Sequence, residues 1–306
     1  MLHYDQLEAL EAVAKERSFQ KAAGSLFISQ SAISQRIRQL ELSVGQPVLV
    51  RSPVIQPTLI GQQLLAHLRQ VRLLEGSLKE KLPFQKRGAQ FQSIAIALNT
   101  ESLSTWFIGA IRSVAIEQKI LLELLIDDQD RTINYLRTGK VWGCVTSVAQ
   151  PPHGCISTFL GEMIYKCVAT PQFVKKYFTK GINGKTLLNA PAAIYGEYDE
   201  MHDAYLGHLF KTYKNGRPKQ HFVPSPQGLV QFAVEGLAFA LLPSLSVDTF
   251  LKQEKLVNLL HDKPLKLKLY WQMQELQTEV TEKISKAIVT YATTLFKNSD
   301  LKREDK

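Results

Sequence analysis

The chain opens on helical spacing. Leu7, Leu10, Val13 and Ala14 form one apolar stripe, and Phe19, Ala22, Ala23 and Leu26 form a shorter one that runs into a turn at Phe27 and Ile28. Ser29 then offers a hydroxyl to the free amides of a new helix, whose Ile33, Ile37 and Leu40 point inward. From Gly45 the period shortens. Val48, Leu49 and Val50 make one extended run and a second ends at Pro57, which predicts a small hairpin beside three helices. Thr58 caps a long helix that reaches about Leu82, with Leu64, Leu68, Val71, Leu74 and Leu78 on one side, and Pro83 ends it. At about 1.5 Å per residue this helix spans roughly 35 Å, long for a packed domain and suited to pairing with a second copy of itself.

After the polar segment 84–92 (FQKRGAQFQ), read as a linker, strands and helices alternate. Strands are predicted at 94–98, 121–126, 144–146, 166–169, 192–195, 221–223, 237–242 and 265–271. Helices start at Ser102 and Arg131, and a final amphipathic helix covers 276–296. This is the rhythm of an α/β domain with a mostly parallel sheet. The most apolar stretch, 229–247, is broken by Gln231, Glu235, Gly236 and Pro243, so it reads as helix, turn and buried strand and not as a membrane span.

A chain of 306 residues suits two or three domains. Its net charge of +9 favours a polyanionic partner without choosing among DNA, RNA and a membrane surface. Position narrows the choice. Between Lys15 and Arg51, the bases Lys15, Arg17, Lys21, Arg36, Arg38 and Arg51 outnumber the acids Glu16 and Glu41. Cys144, Cys155 and Cys167 match no zinc or redox spacing and read as reduced thiols. The N-terminus, MLHYDQLEALEAV, lacks the apolar core of a signal peptide, which predicts a cytoplasmic protein.

The strongest chemical signal is FQKAAGSLFISQSAISQRIRQLELSVG, residues 19–45. A helix-turn-helix needs a second helix with an apolar underside and a polar first turn aimed at base edges. Gln30, Ser31, Ser34 and Gln35 are free of packing duty, and Arg36 and Arg38 follow them. Gln pairs with adenine, Ser with several bases, and Arg with guanine or phosphate. The hairpin from Arg51 to Pro57 supplies a wing. From periodicity alone, an ordinary polar helix face remains an equal alternative.

These residues resemble the LysR-type transcription regulators. The family pattern is matched by Ala22-Ala23, Ser29-Gln30-Ser31-Ala32, Ser34, Ile37, Leu40-Glu41, Gly45, and Thr58 with Gly61. The likeness extends over the whole chain and is nearest to the lysine- and arginine-responsive branch that includes ArgP (also IciA) and LysG, through SQSAISQRIRQLE, GQPVLVR, LLAHLRQVRLLE, SLSTW, DDQDRT, FVKKYF and DEMHDAYL. It implies an α/β chain of three parts. These are a winged helix-turn-helix at 1–58, a dimerising linker helix and hinge at 59–89, and a two-lobed effector domain at 90–306 like that of periplasmic binding proteins. Lobe I covers about 90–162 and 266–306, and lobe II about 163–265. It also implies double-stranded DNA as partner, control by a small molecule, assembly as a homodimer or dimer of dimers through Leu64, Leu68, Val71 and Leu78, and room for contact with RNA polymerase at a promoter. No cofactor, catalysis or membrane attachment is expected.

In an open α/β sheet, ligands sit beyond the carboxyl ends of the strands. For a lysine or arginine ligand, Thr100 and Ser102 suit the carboxylate and Asp128 or Glu101 the cation, with Thr146 ending the third strand and Tyr195 and Asp199 supplying an opposite wall. Trp106 reads as core. No dinucleotide fingerprint, phosphate loop, nucleophile elbow or H-E-x-x-H is present, and the seven histidines lack metal-ligand spacing. Three rival readings stand beside this one. They are a nucleoid or replication-origin protein without effector control, a regulator of a different small molecule, and a periplasmic solute-binding protein, against which the missing signal peptide counts.

Overall fold

A computed structural model describes residues 2–81, 91–196, 200–214, 216, 218–261 and 263–301. The head follows the predicted order: α1 (Tyr4–Glu16), α2 (Phe19–Ser25), α3 (Gln30–Val44), the two-strand hairpin β1 (Leu49–Val50) and β2 (Gln56–Pro57), then α4 (Leu59–Lys81). Ser18 and Ser29 cap α2 and α3, accepting from the amides of Lys21 and Ala32. Gly45 ends α3 in the left-handed region, φ 73°, where a side chain would be strained. Leu7, Leu10, Val13, Ala22, Ile33, Ile37 and Leu40 form the core with Val48 and Leu49 of the hairpin. Thr58 fastens the hairpin to α4, donating to the carbonyl of Pro47 at 2.9 Å and accepting from the amide of Gly61. A Cβ on Gly61 would fall 2.1 Å from the carbonyl oxygen of Val48, so this position must be glycine.

The remainder alternates strands and helices: β3 (Gln92–Leu98), α5 (Thr100–Ser102), a π-helical turn (Leu103–Phe107), α6 (Ile108–Glu117), β4 (Ile120–Ile126), α7 (Thr132–Arg137), β5 (Gly143–Thr146) and β6 (Cys155–Ala169). Next come α8 (Pro171–Tyr177), α9 (Gly184–Asn189), β7 (Pro191–Ile194), α10 (Glu200–Leu209), α11 (Lys211–Lys214), β8 (Lys219–Phe222), α12 (Pro226–Val234), β9 (Phe239–Pro243), α13 (Ser244–Lys252), β10 (Val257–Asn258), β11 (Leu265–Gln274) and α14 (Glu279–Leu301). The stretch 229–247 is, as expected, a helix, a left-handed turn at Gly236 and a buried strand. No described helix is long and apolar enough to cross a membrane.

Two compact units result. The first is Met1–Asn99, Ile111–Thr158 and Trp271–Val289, and the second is Thr100–Ala110, Phe159–Tyr270 and Thr290–Lys306. In the first, β4, β3 and β5 lie side by side in parallel, with the end of β11 next to β5. In the second, β9, β7 and β8 are parallel neighbours and β6 runs antiparallel to β9. Its core gathers Val168, Ala193, Leu229, Ala240, Leu242 and Val247. β6 begins eleven residues before the strand predicted at 166, because its first half is half-buried on both faces and carries no alternation to detect. The segment expected as a linker lies outside the described residues as far as 90.

Candidate nucleic-acid interface and ligand loops

α3 meets the requirements of a recognition helix. Ile33, Ile37 and Leu40 are fully buried beneath it, while Gln30, Ser31, Ser34, Gln35 and Arg38 are exposed. The Ser29 and Ser31 hydroxyls lie 2.8 Å apart at its first turn. Arg36 leans back on Asp5, Nε to Oδ2 3.3 Å, so it is committed to α1 as well as available to phosphate. Glu41 braces the wing: it accepts from the amide of Val48 at 3.2 Å and pairs with Arg51 at 3.3 Å, and the Arg51 guanidinium also lies 5.7 Å from the Phe19 ring centre. Arg51 is thereby aimed by the fold while remaining exposed. Phe27, which periodicity marks only as a turn, is 95% exposed with φ 54°, a conformation that bulky residues rarely adopt.

The linker helix α4 departs from expectation. Leu64 and Leu68 were expected to face a second subunit, yet both are buried in this chain's own head core, Leu68 completely, so they are not available for dimerisation. The reason is the head's size: three short helices cannot cover their own apolar faces, and the first turns of α4 close the core. Val71 is half-buried and Leu74 is 41% exposed; the Leu78 side chain lies outside the described residues. Arg72 fastens α4 to α1, reaching Glu11 at 2.5 Å and Glu8 at 3.2 Å, with its guanidinium 6.0 Å from the Tyr4 ring centre.

The ligand candidates divide between the units. In the first, the loop after β4 begins with Asp127, whose carboxylate accepts from the Asp128 amide and the Tyr135 hydroxyl, both at 2.9 Å, and is therefore structural. Asp128 is 61% exposed, with Arg131 at 3.8 Å. Thr146 is buried and donates to the carbonyl of Gln129 at 2.7 Å, which ties the end of β5 to the same loop. In the second unit, Thr100 opens α5, half-buried, Ser102 is buried, and Tyr195 is half-buried. Asp199 lies outside the described residues. Trp106 is core, edge-on to Phe107 and Phe296.

Cys144 and Cys167 are buried, and burial pushes the Cys167 thiol up to about 12, far from thiolate reactivity; Cys155 is half-buried. His202, buried in α10, contacts Asp203 at 3.1 Å, and Asp203 also accepts from Tyr213 and Gln220. Among the described residues no three His, Cys, Asp or Glu gather as a metal site would require.

Residues 4–62 match the family model of bacterial regulatory helix-turn-helix proteins of the lysR family. The chain is 40% identical over 291 residues to the HTH-type transcriptional regulator ArgP of Vibrio cholerae, covering 95% of this chain and 97% of that protein. Among solved structures it resembles ArgP of Mycobacterium tuberculosis, with a TM-score of 0.84, 31% identity and coverage of 96% and 98%. It also resembles full-length LysG of Corynebacterium glutamicum with bound effector arginine, with a TM-score of 0.75, 30% identity and coverage of 96% and 99%. With the motif residues in the positions the helix-turn-helix requires and the likeness running end to end, the chain belongs to the LysR family of bacterial transcription regulators.

Proposed function

We infer that this chain is a sequence-specific, cytoplasmic, non-enzymatic regulator whose head binds promoter DNA as a homodimer or dimer of dimers, under the control of lysine or arginine. The functional division follows as a head at 1–58, a linker at 59–89 and an effector domain at 90–306. The observation that carries the DNA reading is α3, its apolar underside spent on the core and its polar first turn exposed. The ligand reading is supported by LysG, which holds arginine and is alike along the chain. Asp128 is the acid for the ligand's cation, because Asp127 is engaged by Tyr135 and Asp128 is exposed. Thr100 and Ser102 take the carboxylate.

Calorimetric titration of the full chain with lysine, arginine and norleucine tests the assignment. Lysine or arginine binds, norleucine does not, and Asp128→Ala lowers affinity at least about tenfold, or 1.4 kcal/mol. Equal affinity for norleucine would overturn it. DNA binding in the same preparations weakens steeply with salt, since each phosphate neutralised releases counterion.

A further inference from the structure

α4 is held from two sides within the first unit. Toward the head it gives Leu64, Leu65 and Leu68 to the core and Arg72 to Glu8 and Glu11. Toward the α/β layer, the Arg69 guanidinium donates to the carbonyl of Gly139 at 2.9 Å, and the Gln70 amide donates to the Gln274 side-chain oxygen at 2.8 Å. The approach is close: Gly139 has φ +63°, and a Cβ there would fall 2.0 Å from the Cβ of Ala66. The Gln274 backbone amide donates to the carbonyl of Trp142, three residues beyond Gly139, at 3.1 Å. Gln70, Leu74, Trp142, Gln274 and Thr281 line a small cavity beside the contact, and the buried Trp142 indole nitrogen has no hydrogen-bond partner among the described residues.

What lies at the other end of the Gly139 turn gives this contact a role beyond packing. α7 begins where the amides of Arg131 and Thr132 donate to the carbonyl of Asp128, at 2.9 and 3.0 Å. It ends where the Thr138 amide donates to the carbonyl of Asn134 and the Gly139 amide to that of Leu136. Its buried Ile133 and Leu136 make it a short rod locked in the core. One rod therefore has the Asp128 loop at its start and the α4 contact at its end. α4 in turn carries the head.

We propose that Arg69, Gly139 and Gln70 with Gln274 form a coupling latch, through which a displacement of the Asp128 loop passes along α7 to α4 and changes how the head engages DNA; the proposal rests on the ligand reading above. Arg69 is a positioning residue here, touching neither ligand nor the helix that reads bases. A latch of this kind transmits in both directions, since coupling between two binding events is reciprocal.

The test uses the full chain and two variants: Arg69→Ala, which removes the donor to the Gly139 carbonyl, and Gly139→Ala, whose methyl meets Ala66 at a backbone φ of +63°. Two quantities are read, arginine affinity by calorimetry and the ratio of DNA dissociation constants with and without arginine. Both variants bind arginine within about twofold of wild type, while the DNA ratio, typically about 5- to 150-fold for coupled sites, falls toward one. An unchanged ratio in Arg69→Ala overturns the latch. Amide exchange supplies a readout independent of arginine: DNA binding alters exchange at residues 138–141 in the wild type and not in Arg69→Ala. Absence of that difference also overturns the latch, whereas loss of arginine binding by the wild type, with the exchange difference intact, overturns the ligand reading alone.

Discussion

α3 and α4 carry similar sequence patterns and use them differently. α3 places Ile33, Ile37 and Leu40 on one core and leaves Gln30, Ser31, Ser34, Gln35 and Arg38 to solvent. α4 has the same kind of stripe, but its residues part company along the helix: Leu64 and Leu68 close the head, Val71 is half-buried, and Leu74 is open. Meanwhile Arg69 and Gln70 bind the α/β layer. Periodicity tells which residues share a face. It does not tell how many neighbours that face meets, and a 23-residue helix outruns any single neighbour in a head this small.

The sharpest way to break this contrast is Leu68→Ala. If Leu68 belongs to the head core, the variant loses about 2 to 5 kcal/mol of head stability in urea denaturation, as cavity-forming substitutions do. A loss below about 1 kcal/mol, with impaired self-association, would return Leu68 to a subunit interface. On α3 the corresponding experiment is Gln30→Ala, which relaxes preference at particular base pairs by about 1 to 3 kcal/mol with little effect on folding. Arg38→Ala instead weakens binding to all sequences and reduces the salt slope by about 1. Base preferences measured over a randomised site separate the two outcomes.

The open part of α4 makes a smaller prediction. Leu74→Glu lowers self-association by about 1 kcal/mol in sedimentation and leaves the head's melting unchanged, because Leu74 lies outside the head core and only part of its side chain remains to be buried. The smallest effect belongs to Arg72→Ala. Its ion pairs to Glu8 and Glu11 are partly exposed, so the head loses only about 0.5 kcal/mol, and less in high salt.

The head was legible because its signals are local. A capping serine, a glycine after the last turn of α3 and an apolar triplet at helical spacing each act within a few residues, and the structure places Ser29, Gly45, Ile33, Ile37 and Leu40 as their pattern requires. Most strands after the head were legible for the same reason, apart from the first half of β6, where no face is consistently buried, and the two-residue β10; the helices α8 to α11 and α13 between them were not assigned. The ligand loops were legible as positions after strands. That Asp127 accepts from Tyr135 depends on a hydrogen bond between the loop and α7, which no spacing reveals.

By itself, then, the sequence determined the helix-turn-helix, the polar face of α3, the hairpin and the α/β character of the rest, since short-range hydrogen bonding and burial periodicity settle these. Only the tertiary structure decided where Leu64, Leu68, Val71 and Leu74 of α4 go, that Asp127 is engaged by Tyr135, and that Gly139 must be bare to admit Ala66. These depend on which distant surfaces meet, and burial is a property of both surfaces. A leucine at the right period is compatible with a head core, an adjoining layer or a second subunit, and the choice falls to whichever apolar surface lies within reach.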